Sequence, residues 1–108
     1  MKILTSQQLR ELDAFTMKKK RISSYELMEK AAEKCFQAFP FVHFRSALYV
    51  CGKGNNGGDG LAVARKHLEA VDCDLTVVVV EHTEGSSPDF ARNLYLLEEE
   101  GRANIIYL

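Results

Sequence analysis

Two stretches near the start of the chain repeat one entry signal. In Leu4-Thr5-Ser6-Gln7-Gln8-Leu9, Thr5 with Gln8 forms a capping box and Leu4 with Leu9 a hydrophobic staple. Leu9, Leu12 and Thr16 continue one face, and this first helix is expected to fade near Met17. Ser23 with Glu26 is a second capping box, and Ile22 with Leu27 a second staple. Met28, Ala31, Ala32, Cys35 and Phe39 then hold helical spacing, widened by Leu27 and Phe36, which predicts a core-facing helix ending at Pro40. Phe41 to Arg45 reads as a connection, with His43 an ordinary loop histidine.

From there the period changes. Ser46 to Cys51 and Leu75 to Val80 are continuously apolar runs, as expected of strands buried on both faces of a parallel sheet. Between them Gly58 to Ala70 has helical spacing, with Leu61, Ala64 and Leu68 inward. Small Ala62 and Ala64 would let it lie close to the sheet, and Arg65, Lys66 and His67 are expected on its outer side or in its late turns. Ser87-Pro88-Asp89 starts another helix, with Ser87 as cap and Pro88 at the first helical position. Phe90, Leu94 and Leu97 face inward and Gly101 stops it. Asn104 to Leu108 reads as a third strand.

The order is therefore α-α-β-α-β-α-β. It predicts an α/β, Rossmann-like three-layer αβα fold, with a parallel sheet, right-handed crossovers and helices on both faces. Ligands of such sheets bind beyond the carboxyl ends of the strands, where the stretch after Cys51 and Glu81-His82 both lie. Three strands leave an exposed edge that invites pairing. The chain, residues 1–108, is expected to be part of a single domain, a fragment of a longer protein or a chain completed by a partner, with a homo-oligomer as the expected assembly.

Composition narrows the function classes. With 108 residues, 46% hydrophobic and 27% charged, the chain is at most one ordinary globular domain. A formal net charge of −1 gives no long-range attraction to nucleic acid or to anionic membranes. The one basic run, Lys18-Lys19-Lys20-Arg21, has no interleaved aromatics and suits the negative end of the first helix. No apolar run approaches the ~20 residues of a membrane span, and no signal-peptide pattern opens the chain, so a cytoplasmic address is expected. Cys35, Cys51 and Cys73 are odd in number, far apart and remote from any metal-ligand spacing, so they read as buried structural thiols.

The chemistry is concentrated in Cys51-Gly52-Lys53-Gly54-Asn55-Asn56-Gly57-Gly58-Asp59-Gly60. Glycines permit positive φ and let a ligand approach the main chain, and a strand-loop-helix passage points free amides at an anion. Gly52 to Gly57 fits G-x-G-x-x-G, but no Gly-Lys-[Ser/Thr] closes a P-loop. The plainer reading is a tight turn whose glycines only let helix and strand pack. That accounts for the glycines and not for Asn55, Asn56 and Asp59 among them.

Asn55-Asn56-Gly57-Gly58-Asp59-Gly60 resembles the signature of the YjeF N-terminal domain family, the NAD(P)H-hydrate epimerases. Ile22-Ser23-Ser24, Leu27-Met28-Glu29 and Val63-Ala64-Arg65 extend the likeness. It covers nearly the whole chain but only the first half of the family domain. The resemblance implies interconversion of the R and S forms of NADHX and NADPHX by inversion at the hydroxylated ring carbon. It implies substrate contacts at Asn55, Asn56, Gly57, Gly58 and Asp59, a potassium ion with Asn56 among its ligands, and an ADP- or ATP-dependent NAD(P)H-hydrate dehydratase as a fused or separate partner. The family's catalytic aspartate, second glycine-rich loop and remaining potassium ligands come later in its domain, so no catalytic residue is assigned. Two alternatives remain open at this point. One is a non-catalytic ligand-binding or scaffold module on the same fold. The other is a dinucleotide-binding Rossmann domain, with Glu81 as the ribose acid.

Overall fold

The computed structural model of the chain describes residues 5–80 and 85–108. The elements are α1 (Ser6–Lys20), α2 (Ser24–Ala38), a 3-10 turn (Phe41–His43), β1 (Ser46–Cys51), α3 (Asn55–Ala70), β2 (Asp74–Val79), α4 (Pro88–Glu100) and β3 (Asn104–Tyr107). This is the expected α/β order. Both capping boxes form: Thr5 Oγ1 accepts from the Gln8 amide at 3.1 Å, and Ser23 Oγ from that of Glu26 at 3.1 Å. Leu4 of the first staple lies outside the described residues.

Helix α1 runs past the expected Met17 to Lys20. Lysine is a good helix former and suits the negative end of the dipole, and Arg21, at φ 53, closes the turn by donating its backbone N–H to the Met17 carbonyl. Helix α2 stops at Ala38, one residue short of the extended Phe39 that Pro40 imposes. Gly101, at φ 84, ends α4 as its position suggests.

The sheet is parallel, in the order β1-β2-β3, with Ser46 opposite Asp74, Cys51 opposite Val79 and Val79 opposite Tyr107. Its core face carries Ala47, Tyr49, Cys51, Leu75, Val77, Val79 and Ile105. Leu61, Ala64 and Leu68 of α3 and Phe90 and Leu97 of α4 pack there. Each fully buried Leu or Phe in this cluster contributes roughly 1.5–3 kcal/mol. Helix α2 then covers α3, setting Met28 and Ala32 on Ala62 and Val63. Ala62 therefore faces α2 rather than the sheet.

Several positions differ from the pattern read along the chain. Helices on both sheet faces were expected, yet the core cluster places α3 and α4 on the same one. Both crossovers step in one direction across the sheet, and right-handed crossovers stepping the same way stack their helices on one side. Leu48 and Val50, expected to be buried, are consequently 65% exposed on the other face. On α2 only Met28 and Ala32 are buried, because the i, i+4 row faces α3 while Ala31, Cys35 and Phe39 turn outward. Of the thiols expected to be buried, Cys51 is, Cys73 is half-buried and Cys35 is exposed.

His67 lies in the last turn of α3, one of its two expected placements, and is buried there. A carbonyl only accepts, so Nε2 carries the ring proton and donates to Phe44 O at 2.9 Å, leaving Nδ1 to accept from the Tyr49 hydroxyl at 3.1 Å. Burial first, then the thiols of Cys73, Cys35 and Cys51, raise the Tyr49 pKa well above the usual phenol range and keep it a donor. Replacing Tyr49 with Phe leaves a buried ring nitrogen without a donor. Urea unfolding should show a loss of about 1–3 kcal/mol, and an unchanged midpoint would reject the tautomer assigned to His67.

Candidate functional site

Strand β1 delivers the chain into Gly52-Lys53-Gly54, and α3 begins at once with Asn55. The helix thus starts three residues before the expected Gly58. The signature is its first turns rather than a loop. Gly54 occupies the N-cap with extended backbone and offers no side chain to the helix amides. Gly58 N donates to Gly54 O at 3.0 Å. Among the described residues nothing accepts from the amides of Asn55, Asn56 or Gly57, the three donors that an uncapped helix leaves open.

Gly57, Gly58 and Gly60 of this stretch serve packing, while Gly54 has open space around it. None has positive φ; among the described residues that conformation belongs to Gly85, Gly101 and Arg21. A Cβ on Gly57 would overlap the Gly52 carbonyl oxygen, so the helix can lie against the incoming loop only because residue 57 has no side chain. A Cβ on Gly58 would meet Met28 Cε at 2.9 Å, and one on Gly60 Cys51 Sγ at 3.0 Å. Gly57 and Gly58 are buried, so only their backbones could meet a ligand.

The polar side chains divide between two sides. Asn55 and Asp59, one helical turn apart, share a face. They line a cavity of about 330 Å³ together with Arg10 and Asp13 of α1, Met28 of α2 and Asp89 of α4. Asn56 is exposed and does not line it. Asp59 is half-buried, and its pKa is raised, first by burial and then by the carboxylates of Asp13 and Asp89. Ser87 N donates to Lys53 O at 3.0 Å, which sets the start of α4 beside the start of α3 at the carboxyl edge of the sheet. Glu81 and His82, expected at this edge, lie outside the described residues.

A polar layer that the sequence reading passed over holds these helices together. Arg65 Nη1 donates to Glu29 Oε1 at 2.8 Å and to Asn93 Oδ1 at 3.0 Å, and Lys66 pairs with Glu29 at 3.4 Å. Buried Asn93 donates onward to the Asp89 carbonyl at 3.0 Å and to Met28 Sδ at 3.3 Å. The available signal was a lone amide on the inward row Phe90, Asn93, Leu97 of α4.

For the potassium implied at Asn56, this residue supplies one neutral amide oxygen, a donor suited to a hard cation. No group of three or more His, Cys, Asp and Glu able to hold a metal occurs among the described residues. Asn56 offers one exposed amide oxygen of the kind such a cation takes.

The family model described as YjeF-related protein N-terminus matches residues 24–105. The bifunctional NAD(P)H-hydrate repair enzyme Nnr of Salinibacter ruber is 36% identical over 101 residues, covering 90% of this chain and 18% of its own. An NAD(P)H-hydrate epimerase of Limosilactobacillus reuteri is 41% identical over 92 residues, covering 82% of this chain and 42% of its own. One from Rhodobacter capsulatus is 42% identical over 72 residues, covering 58% and 34%. The chain thus spans less than half the length of these relatives.

Two outcomes follow from the packing. Gly57→Ala forces the start of α3 off the loop and should cost about 1–3 kcal/mol or more, read as a lower thermal midpoint; an unchanged midpoint rejects the close approach. For Asp59, the raised folded pKa means that the native state binds its proton more tightly than the unfolded state. Stability from this group is whole below the unfolded pKa and is lost as pH rises through the folded one. Asp59→Asn should therefore be more stable than wild type at pH 7, with the gain vanishing in acid. Equal stabilities at both pH values would contradict the desolvated placement.

Proposed function

The chain belongs to the family of YjeF-related protein N-termini, and from this premise we propose that it is the first part of an NAD(P)H-hydrate epimerase domain, continued in a longer protein. The observation that carries the reading is the start of α3. Unpartnered amides at residues 55–57 adjoin a cavity into which Asn55 and Asp59 face. This is the stretch in which the resemblance implied the substrate contacts. The relatives' printed names support the same activity.

The charges suggest how the substrate would lie. Three carboxylates and one guanidinium line the cavity on the Asp59 side, a poor place for phosphates. The dinucleotide phosphates would take the Asn56 side, where open helix amides favour anions, with the neutral hydrated ring towards Asn55 and Asp59. With its raised pKa, Asp59 accepts a proton more readily than an exposed carboxyl, which suits donation to a ring oxygen. Gly57 and Gly58 would contribute backbone alone. The bound potassium would supply positive charge near the phosphates, with Asn56 as one ligand. We assign binding and orientation to these residues, and no proton transfer at the inverting carbon.

NADHX and NADPHX are the proposed substrates and their R and S forms the interconverted pair. An ADP- or ATP-dependent dehydratase is the proposed partner, fused or separate, since one relative is named bifunctional. A cytoplasmic address and self-association complete the proposal. Among the described residues no helix is long and apolar enough to cross a membrane.

The 108-residue chain by itself should show no R-to-S conversion above background, because it spans only 42% of an epimerase relative. In the full-length protein, Asn56→Ala should weaken NADPHX binding about tenfold in potassium, the value of one lost hydrogen bond or ligand, and much less in its absence. Turnover by the short chain, or equal affinities in both salts, would overturn these assignments.

A further inference from the structure

Helix α1 presents its polar side to the cavity at the start of α3. Arg10 and Asp13, three residues apart and so neighbours on one helix face, line it together with Asn55 and Asp59. Neither is spent on the other. Arg10 Nη2 reaches only Gln7 Oε1, at 3.4 Å, and the ion pairs between described residues are those of Glu29 and Glu100. Both side chains are exposed, so each is open to a ligand in the cavity. Helix α1 also precedes residues 24–105, which the family model matches, and neither residue is among the contacts that the resemblance implied. A guanidinium and a carboxylate left apart on one face set a donor beside an acceptor.

We propose that Arg10 and Asp13 read the primary carboxamide of the hydrated nicotinamide ring and so select amide over acid dinucleotides. The inference rests on the epimerase reading, which sets the neutral ring on this side of the helix start. A primary amide presents a carbonyl oxygen beside an NH2 group. Arg10 donates to the oxygen and Asp13 accepts from the nitrogen, so both polar groups of the amide are paired. The corresponding acid does not fit. Its carboxylate would bond Arg10 but meet Asp13 with no proton to give, and Asp59 and Asp89 line the same cavity and add repulsion. A phosphate meets the same repulsion with more charge. The plainer reading of Arg10 and Asp13 is a solvated pair of charges on a helix surface. That reading accounts neither for their facing a cavity nor for the missing bond between them.

The test titrates the full-length protein with NADPHX and with its deamido analogue, in which a carboxylate replaces the carboxamide. Wild type should bind NADPHX at least about tenfold more tightly. Asp13→Asn places an amide donor where the carboxylate stood and should cut that preference about tenfold. Arg10→Met keeps an unbranched side chain, deletes the donors and should weaken NADPHX binding about tenfold. Both positions are exposed, and circular dichroism should show the helical content of each variant unchanged. A merely structural role would lower both affinities alike and leave the preference as it was. Equal wild-type affinities for the two ligands, a preference that Asp13→Asn leaves unchanged, or full NADPHX affinity in Arg10→Met would each overturn the assignment and leave the epimerase reading in place. A wild type that binds neither dinucleotide would reject that reading and this inference with it.

Discussion

The contact between the backbone at Gly57 and the carbonyl of Gly52 sets the position of everything around it. It lets α3 start against the loop that leaves β1, with only residues 52–54 between them. Once α3 is placed, Leu61, Ala64 and Leu68 meet the sheet while Ala62 and Val63 meet α2. Gly58 beside Met28 makes a weaker demand one residue on, since the atom that a Cβ would meet there is the movable end of the Met28 side chain. The glycines thus act through absent volume, and the open amides beside them follow from a helix that begins before any capping side chain is available.

A polar layer links this arrangement to α4. Arg65 binds both Glu29 and Asn93, and Asn93 holds the backbone of Asp89 at the cavity wall. A buried amide that bonds in every direction is worth keeping, because leaving one of its groups unpaired costs more than each bond contributes. Asp59 shows the opposite balance. Its carboxyl is placed among other carboxylates and partly out of water, which disfavours its charge. Asp59 thus makes the fold less stable at neutral pH while lining a cavity, the combination that marks it as a candidate site residue.

The surfaces left open have one cause each. The far face of the sheet is bare because two crossovers of one hand step in one direction and stack both helices together. The outer face of α1 is bare because the inward side of that helix is spent on the cavity. In both cases an apolar pattern along the chain signals burial against something beyond the elements described.

Much of the fold was legible in the amino acids alone. Capping boxes at Thr5 and Ser23, the Ser87-Pro88 start and the Gly101 stop are local hydrogen-bond and dihedral requirements, and their residues declare them directly. The β-branched runs marked the strands to within a residue, and the Asn-Asn-Gly-Gly-Asp-Gly run marked the family. The inward rows Leu61, Ala64, Leu68 and Phe90, Leu97 were legible too, but the facing of several other residues was not. His67 reads as a late surface residue until Tyr49 and Phe44 arrive on either side of its ring. Asn55 and Asn56 are neighbours in sequence, yet one lines the cavity and the other does not. Periodicity states how residues are spaced around one element. The crossing of α2, α3 and α4 decides which side of that element is inside, because burial depends on neighbours far along the chain.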